Sequence, residues 1–178
     1  EITGLPGPVA SAAKGVTSRW AVTQDLTVKQ QLEAGVRYMD IRLSTHNDDD
    51  GNKSLWICHT LFSLPFAQVV ADIAAFYKDA GDSNKELLLL DVQAFKGDVP
   101  GAEMHQLFID AVAPMAHLFV RGAKSGIHST LADICAAGDG TQRVMLAYCY
   151  PPDGPLSSDW CNHRSNIIAS RWFNLNVV

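Results

Sequence analysis

Several features are missing from this chain, and each absence narrows what it can be. No apolar run approaches the ~20 residues that a membrane-spanning helix needs, and strings such as Leu87–Leu90 are strand-sized. There is no basic surplus. Lys and Arg number 14 against 19 Asp and Glu, a net charge of −5, which removes the electrostatic footprint of a general nucleic-acid binder. The four cysteines, Cys58, Cys135, Cys149 and Cys161, form no C-x-x-C pair, which argues against a cysteine-held zinc site. Cys149 and Cys161 flank a Pro/Gly-rich stretch and would suit a disulfide in an exported protein; small buried hydrophobes are the plainer reading. No repeat or low-complexity tract is present. The first residue is Glu1 and not Met, so the lack of a leader says nothing about export, and the compartment stays open between secreted and membrane-peripheral. What is present is a 178-residue chain with 47% hydrophobic and 19% charged residues, the composition of one folded domain spanning 1–178.

Periodicity divides the chain into alternating elements. Residues 1–19 read as loop, and Trp20–Thr23 as a short extended piece. Asp25 or Thr27 caps a helix over LTVKQQLEAG, and VRYMDIRL follows as a strand. THNDDDGNKS is a loop and LWICH the next strand. PFAQVVADIAAFYKDAG carries Phe66, Val69, Val70, Ile73, Ala74 and Tyr77 at helical spacing, with Pro65 at its start and Gly81 as a stop. KELLLLDVQAF has the near-continuous apolar run of a buried parallel strand. Residues 102–120 are helical with a break near Pro114, and Ser129 or Thr130 caps LADICAAG. RVMLAYCY is a strand, PPDGPLSSDWCNHRS a loop, and NIIASRWFNL a last strand or its approach. This alternation predicts an α/β fold, with polar residues gathered at strand ends as in parallel barrels.

Those polar residues carry the chemistry. Asp40 and Arg42 are two apart on one strand and therefore share a face. A guanidinium is always charged and its planar fork suits a phosphate, but Asp40 is also a ready partner, so a phosphate site and a structural ion pair both remain open. His59 ends LWICH, where an imidazole titrating near neutrality can protonate a leaving alkoxide or simply be held by hydrogen bonds. Asp91 and Gln93 share a face on the following strand, and Tyr148 ends a later one. The run Asn47-Asp48-Asp49-Asp50-Gly51 lacks the twelfth-position Glu of an EF-hand and reads as a solvated turn. His105, His117 and His128 have no metal-ligand spacing, and His163 with Cys161 is a weak pair.

The segments WAVTQDLTVKQQLEAGVRYMDIRL, LWICHTLF and VVADIAAFYKDAGDSNKELLLLDVQAF, spanning Trp20 to Phe95, resemble the X domain of phosphatidylinositol-specific phospholipase C, in the branch of PI-PLC X-domain-containing proteins. TLADIC, RVMLAYCY, Trp160 and Trp172–Asn174 fit more loosely. The resemblance implies a TIM-like (β/α) barrel of the phospholipase C-like phosphodiesterase type, incomplete in this chain. It implies cleavage of a phosphatidylinositol-type phosphodiester without metal or other cofactor. Arg42 then matches the phosphate-binding Arg, His59 the general acid, and Asp40 the acid that orients them. An acidic metal ligand stands at the Arg42 position in the calcium-dependent enzymes, so D-I-R argues against calcium. Gln93 falls where relatives have a basic residue or a Glu, which leaves head-group specificity open; Asp91 and Tyr148 are substrate-contact candidates, each with an equally good structural reading. The implied partner is a phospholipid or an inositol phosphate, with peripheral membrane contact, a monomeric state and no nucleic acid. The family's first catalytic His, in an H-D-S/T segment, has no match before Trp20, and the late strands are not recognisable. The expectation is therefore a piece of a longer protein, with little catalysis by itself. Two other readings compete: a non-catalytic barrel binding an anionic head group, and a metal-dependent glycerophosphodiesterase-like enzyme, which the D-I-R pattern disfavours.

Overall fold

The computed structural model describes residues 25–59, 61–81, 85–96, 101–121, 130–136, 140–148 and 161–163. Thr27, of the two candidates, caps helix α1 (Val28–Glu33). Its hydroxyl accepts from the Gln30 amide at 3.2 Å, and the Gln30 side chain accepts in return from the Thr27 amide at 2.9 Å, so two orphan donors are satisfied reciprocally. Gly35, at φ 100°, then takes a left-handed backbone that other residues resist.

Strand β1 (Tyr38–Asn47) alternates as its sequence demands, with Met39, Ile41 and Leu43 buried and Tyr38 and Asp40 exposed. It turns back into β2 (Lys53–Cys58) as an antiparallel hairpin. The Asp-rich stretch is that turn. The Asp48 carboxylate accepts from the Asp50 and Asn52 amides and from Asn52 Nδ2 at 2.8–3.0 Å. These bonds, Asn52's foremost, hold its carboxyl below the usual range. A short β3 (Phe62–Pro65) pairs with β2 and leads into α2 (Phe66–Ala80). After β4 (Leu88–Lys96) comes α3 (Gly101–Val112), and the chain tightens into a 3-10 helix over Ala113–Leu118. Pro114 lies at the start of that stretch and cannot donate to an α-helical ladder, which is why the helix changes there. Thr130 caps α4 (Leu131–Cys135) in a second capping box, and β5 (Val144–Tyr148) and β6 (Cys161–His163) complete the sheet.

The strand order is β3-β2-β1-β4-β5-β6, with β1, β4, β5 and β6 parallel and the hairpin antiparallel at one side. The parallel strands advance in one direction and never reverse. Helices α2 and α3, which precede and follow β4, pack on the same face of the sheet, the arrangement of an arc of a (β/α) barrel and not of a doubly wound sheet. On the covered face Leu88, Leu90, Val92, Val144 and Leu146 pack against Phe66, Val69, Ile73 and Tyr77 of α2 and Met104 and Phe108 of α3. Phe76, not singled out by the spacing, is buried too, whereas Ala74 is half-buried.

Two expectations need correction. The segment 151–165 is not all loop, since Cys161–His163 pairs with Leu146–Tyr148. The backbone groups of β5's edge accept any extended partner, and such pairing needs no side-chain pattern. His59 does not end a parallel strand but follows an antiparallel one. The expected elements at 1–23 and 164–178, the Pro/Gly-rich stretch and the pairing of Cys149 with the Cys161 side chain lie outside the described residues; Cys58 is a buried free thiol.

Candidate functional site

The face of β1 turned away from the helices carries Tyr38, Asp40 and Arg42. Their neighbours on β4 follow from the register: Tyr38 pairs with Leu89 and Asp40 with Asp91. Two carboxylates side by side on adjacent strands would repel, and each is given its own donor. Arg42 Nε and Nη2 approach the two oxygens of Asp40, both at 3.4 Å, with the two side chains 25% and 31% exposed. Tyr38 donates its phenol to Asp91 Oδ2 at 2.6 Å, and Gln93 Nε2 donates to the same oxygen at 3.3 Å. Asp91 is fully buried. Desolvation, then the bond to Asp91, raises the pKa of Tyr38 and keeps the phenol protonated as a donor.

A bulge decides what comes next. Ile41 pairs with Val92, but Arg42 pairs with Ala94, so Gln93 is an extra residue in β4. The parity of β4 flips at that point. Val92 and Phe95, three residues apart, both enter the helix-side core. Lys96, which regular alternation from Asp91 would send to the helix side, comes into register with Ser44 on the face of Arg42. Its ammonium donates to the His59 backbone carbonyl at 2.8 Å. His59 itself is exposed and follows the strand whose Ile57 pairs with Leu43, and the bond from Lys96 ties its backbone to the end of β4.

The structure therefore brings together Asp40, Arg42, Asp91 and Gln93 on the sheet face turned away from the helices, Asp91 fully buried there, with the His59 backbone tied to Lys96 at its border. Tyr148 stands elsewhere. It is fully buried on the helix-side face, its ring 4.5 Å from Phe108 and 5.4 Å from Phe95, and its hydroxyl 3.3 Å from His105 Nδ1. Of its two sequence readings the packing one describes this position, because Tyr148 pairs with Val92, which faces the helices. Burial also holds the His105 imidazole below its ordinary pKa, which suits the structural reading of that residue. Sequence reasoning missed Tyr38 and Lys96. Tyr38 shares the Asp40 parity and was open to detection; Lys96 was not, because nothing in VQAFK announces a bulge. Among the described residues no three His, Cys, Asp or Glu side chains are grouped to hold a metal ion, and no helix is long and apolar enough to cross a membrane.

No protein-family model matches the chain. Individual proteins do. The chain is 27% identical over 160 residues to a variant-surface-glycoprotein phospholipase C of Trypanosoma brucei brucei, covering 90% of this chain and 41% of that protein. It is 38% identical over 87 residues to PI-PLC X domain-containing protein 3 of Bos taurus, covering 49% of this chain and 26% of that one. A solved phosphatidylinositol-specific phospholipase C of Staphylococcus aureus superposes with a TM-score of 0.48 at 19% identity, over 70% of this chain and 38% of its own. The chain thus spans less than half the length of each curated relative. On these matches, the chain is similar to phosphatidylinositol-specific phospholipase C X-domain proteins over part of their length.

Proposed function

We propose that this chain carries part of the active site of a phosphodiesterase that cleaves a phosphatidylinositol-type phospholipid by acid–base chemistry without a metal. The observation that carries the reading is the Asp40–Arg42 pair on an open sheet face, with His59 at its border. Arg42 binds the phosphoryl oxygens and stabilises the charge that grows on them as phosphorus becomes five-coordinate. Asp40 holds the guanidinium in orientation. His59, as imidazolium, gives its proton to the diacylglycerol oxygen as the phosphorus–oxygen bond to it breaks. The attacking group is the neighbouring inositol hydroxyl, so the products are a cyclic inositol phosphate and diacylglycerol. Its proton needs a base, and the family's early H-D-S/T-type histidine is the group to seek in the whole reading frame. Gln93, half-buried on the same face, is the candidate for contacting the inositol ring, and Asp91, fully buried, acts on it through the bond it accepts from Gln93. Arg42 supplies fixed positive charge to the phosphate, which is why the reaction is written without calcium.

The test is the complete gene product on phosphatidylinositol vesicles, followed by phosphorus NMR with and without EDTA. A cyclic inositol phosphate that forms in EDTA, and disappears in folded His59→Ala and Arg42→Leu variants, supports the proposal. Abolition by EDTA overturns the metal-free mechanism, and unchanged rates in either variant overturn its assigned role. A folded protein that binds inositol 1-phosphate without turnover is a head-group-binding module instead.

A further inference from the structure

We infer that Lys96 is a second phosphate-binding cation of this site, aimed there by the β4 bulge. The inference rests on the phosphodiester reading above and adds a ligand to it. Three observations carry it. First, the bulge at Gln93 puts Lys96 in register with Ser44 while Arg42 pairs with Ala94, so both cations address the same face. One strand spacing and two residue rises separate their Cα atoms by ~8 Å, and Ala94, opposite Arg42, has no side chain long enough to fill the space between. Second, the two charges are balanced differently. Arg42 faces the Asp40 carboxylate, whereas among the described residues Lys96 meets no carboxylate, only the neutral carbonyl of His59. An ammonium has three donors, so two remain for a ligand. Lys53, exposed on the neighbouring hairpin, is bonded to Glu103 at 2.6 Å and shows the ordinary fate of a lysine here. Third, among the described residues the bond that Lys96 makes goes to the backbone of His59. A phosphate held between Lys96 and Arg42 therefore lies beside the residue proposed to protonate its leaving group. The single negative charge of a phosphodiester answers the single charge on Lys96 that no carboxylate among the described residues offsets. Without the bulge, Lys96 would face the helices and the site would lack this charge.

The experiment uses the protein from its whole reading frame. Binding of inorganic phosphate, myo-inositol 1-phosphate and myo-inositol is measured by titration calorimetry for the unmodified protein and for Lys96→Met, Lys96→Arg and Lys53→Met, with KM and kcat on phosphatidylinositol vesicles. Lys96→Met keeps the methylene stem, and circular dichroism checks that it folds. The expected result is an affinity for both phosphate ligands weakened about tenfold or more, with myo-inositol unaffected, KM raised, and Lys96→Arg restoring most of the loss. A Lys96→Met protein that binds phosphate like Lys53→Met overturns the inference and leaves the phosphodiesterase reading standing. Equal weakening toward myo-inositol also overturns it, because that is the mark of a tie that only shapes the strand ends. An unmodified protein that neither binds nor cleaves overturns the phosphodiesterase reading, and the inference with it.

Discussion

Replacing Arg42 with Leu separates the two roles that its sequence position allowed. As a structural ion pair, Arg42 would contribute mainly to folding; as a phosphate ligand, mainly to binding. The geometry yields different magnitudes for the two. Both nitrogen–oxygen distances to Asp40 are 3.4 Å, longer than a tight charged hydrogen bond, and the side chains are a quarter to a third exposed. Solvent screening at that exposure limits the pair to about 0.5–1 kcal/mol of stability. A charged, forked bond to a phosphate is worth about 2–3 kcal/mol. At about 1.4 kcal/mol per factor of ten, that is a ~30- to 150-fold loss of affinity. Arg42→Leu should therefore unfold in urea within ~1 kcal/mol of the unmodified protein, yet bind myo-inositol 1-phosphate at least ~30-fold more weakly by calorimetry. The reverse pattern would refute the reasoning. A stability loss of about 3–5 kcal/mol, as when a buried pair loses one member, together with unchanged phosphate affinity, would make Asp40–Arg42 a structural pair. Salt adds an internal check. The stability difference should shrink further at high ionic strength, because the pair is open to solvent.

Other expectations follow from the same structure. Tyr77 is buried, donates to the Glu86 and Arg143 carbonyls at 3.1 and 3.2 Å, and has its pKa pushed up to about 12 by burial. In the unfolded chain it ionises near ~10, so this stability is complete below that pH and is lost as the pH rises through the folded value. Over that window ~2 kcal/mol should disappear in unfolding titrations, and Tyr77→Phe should remove that pH dependence. Tyr148→Phe should change stability by less than ~1.5 kcal/mol and leave phosphate affinity unchanged; a loss of binding would return Tyr148 to the site. Tyr38→Phe removes a donor from buried Asp91 and should cost about 1–2 kcal/mol in urea unfolding, whereas a neutral effect would mean that Gln93 and the remaining partners of Asp91 suffice. Gly35→Ala meets no atom within 4 Å, so its cost comes from the backbone alone at φ 100°, and calorimetric melting should show about 1 kcal/mol.

Much of the fold was legible because its signals are local. The Thr27 and Thr130 caps, the α2 stripe beginning at Phe66 and the apolar run of β4 each depend on residues within one or two turns of one another. Asp40 and Arg42 were legible for the same reason, since a regular strand puts residues two apart on one face. The β6 segment was not, because its pairing is backbone to backbone and its three residues carry no pattern.

The sequence by itself determined the α/β alternation, the shared face of Asp40 and Arg42, and the likeness to the phospholipase C X domain. Tertiary structure alone decided which other side chains join them. Parity along a strand is a local rule that holds only while the register holds. The register between β1 and β4 slips by one residue at Gln93, under long-range pairing between segments some fifty residues apart. That slip puts Lys96 in register with Ser44 on the face of Arg42, while Tyr148, in register with Val92, stays among the core aromatics. The residue types at those positions are written in the chain, but the direction each side chain takes is set by the pairing of distant strands.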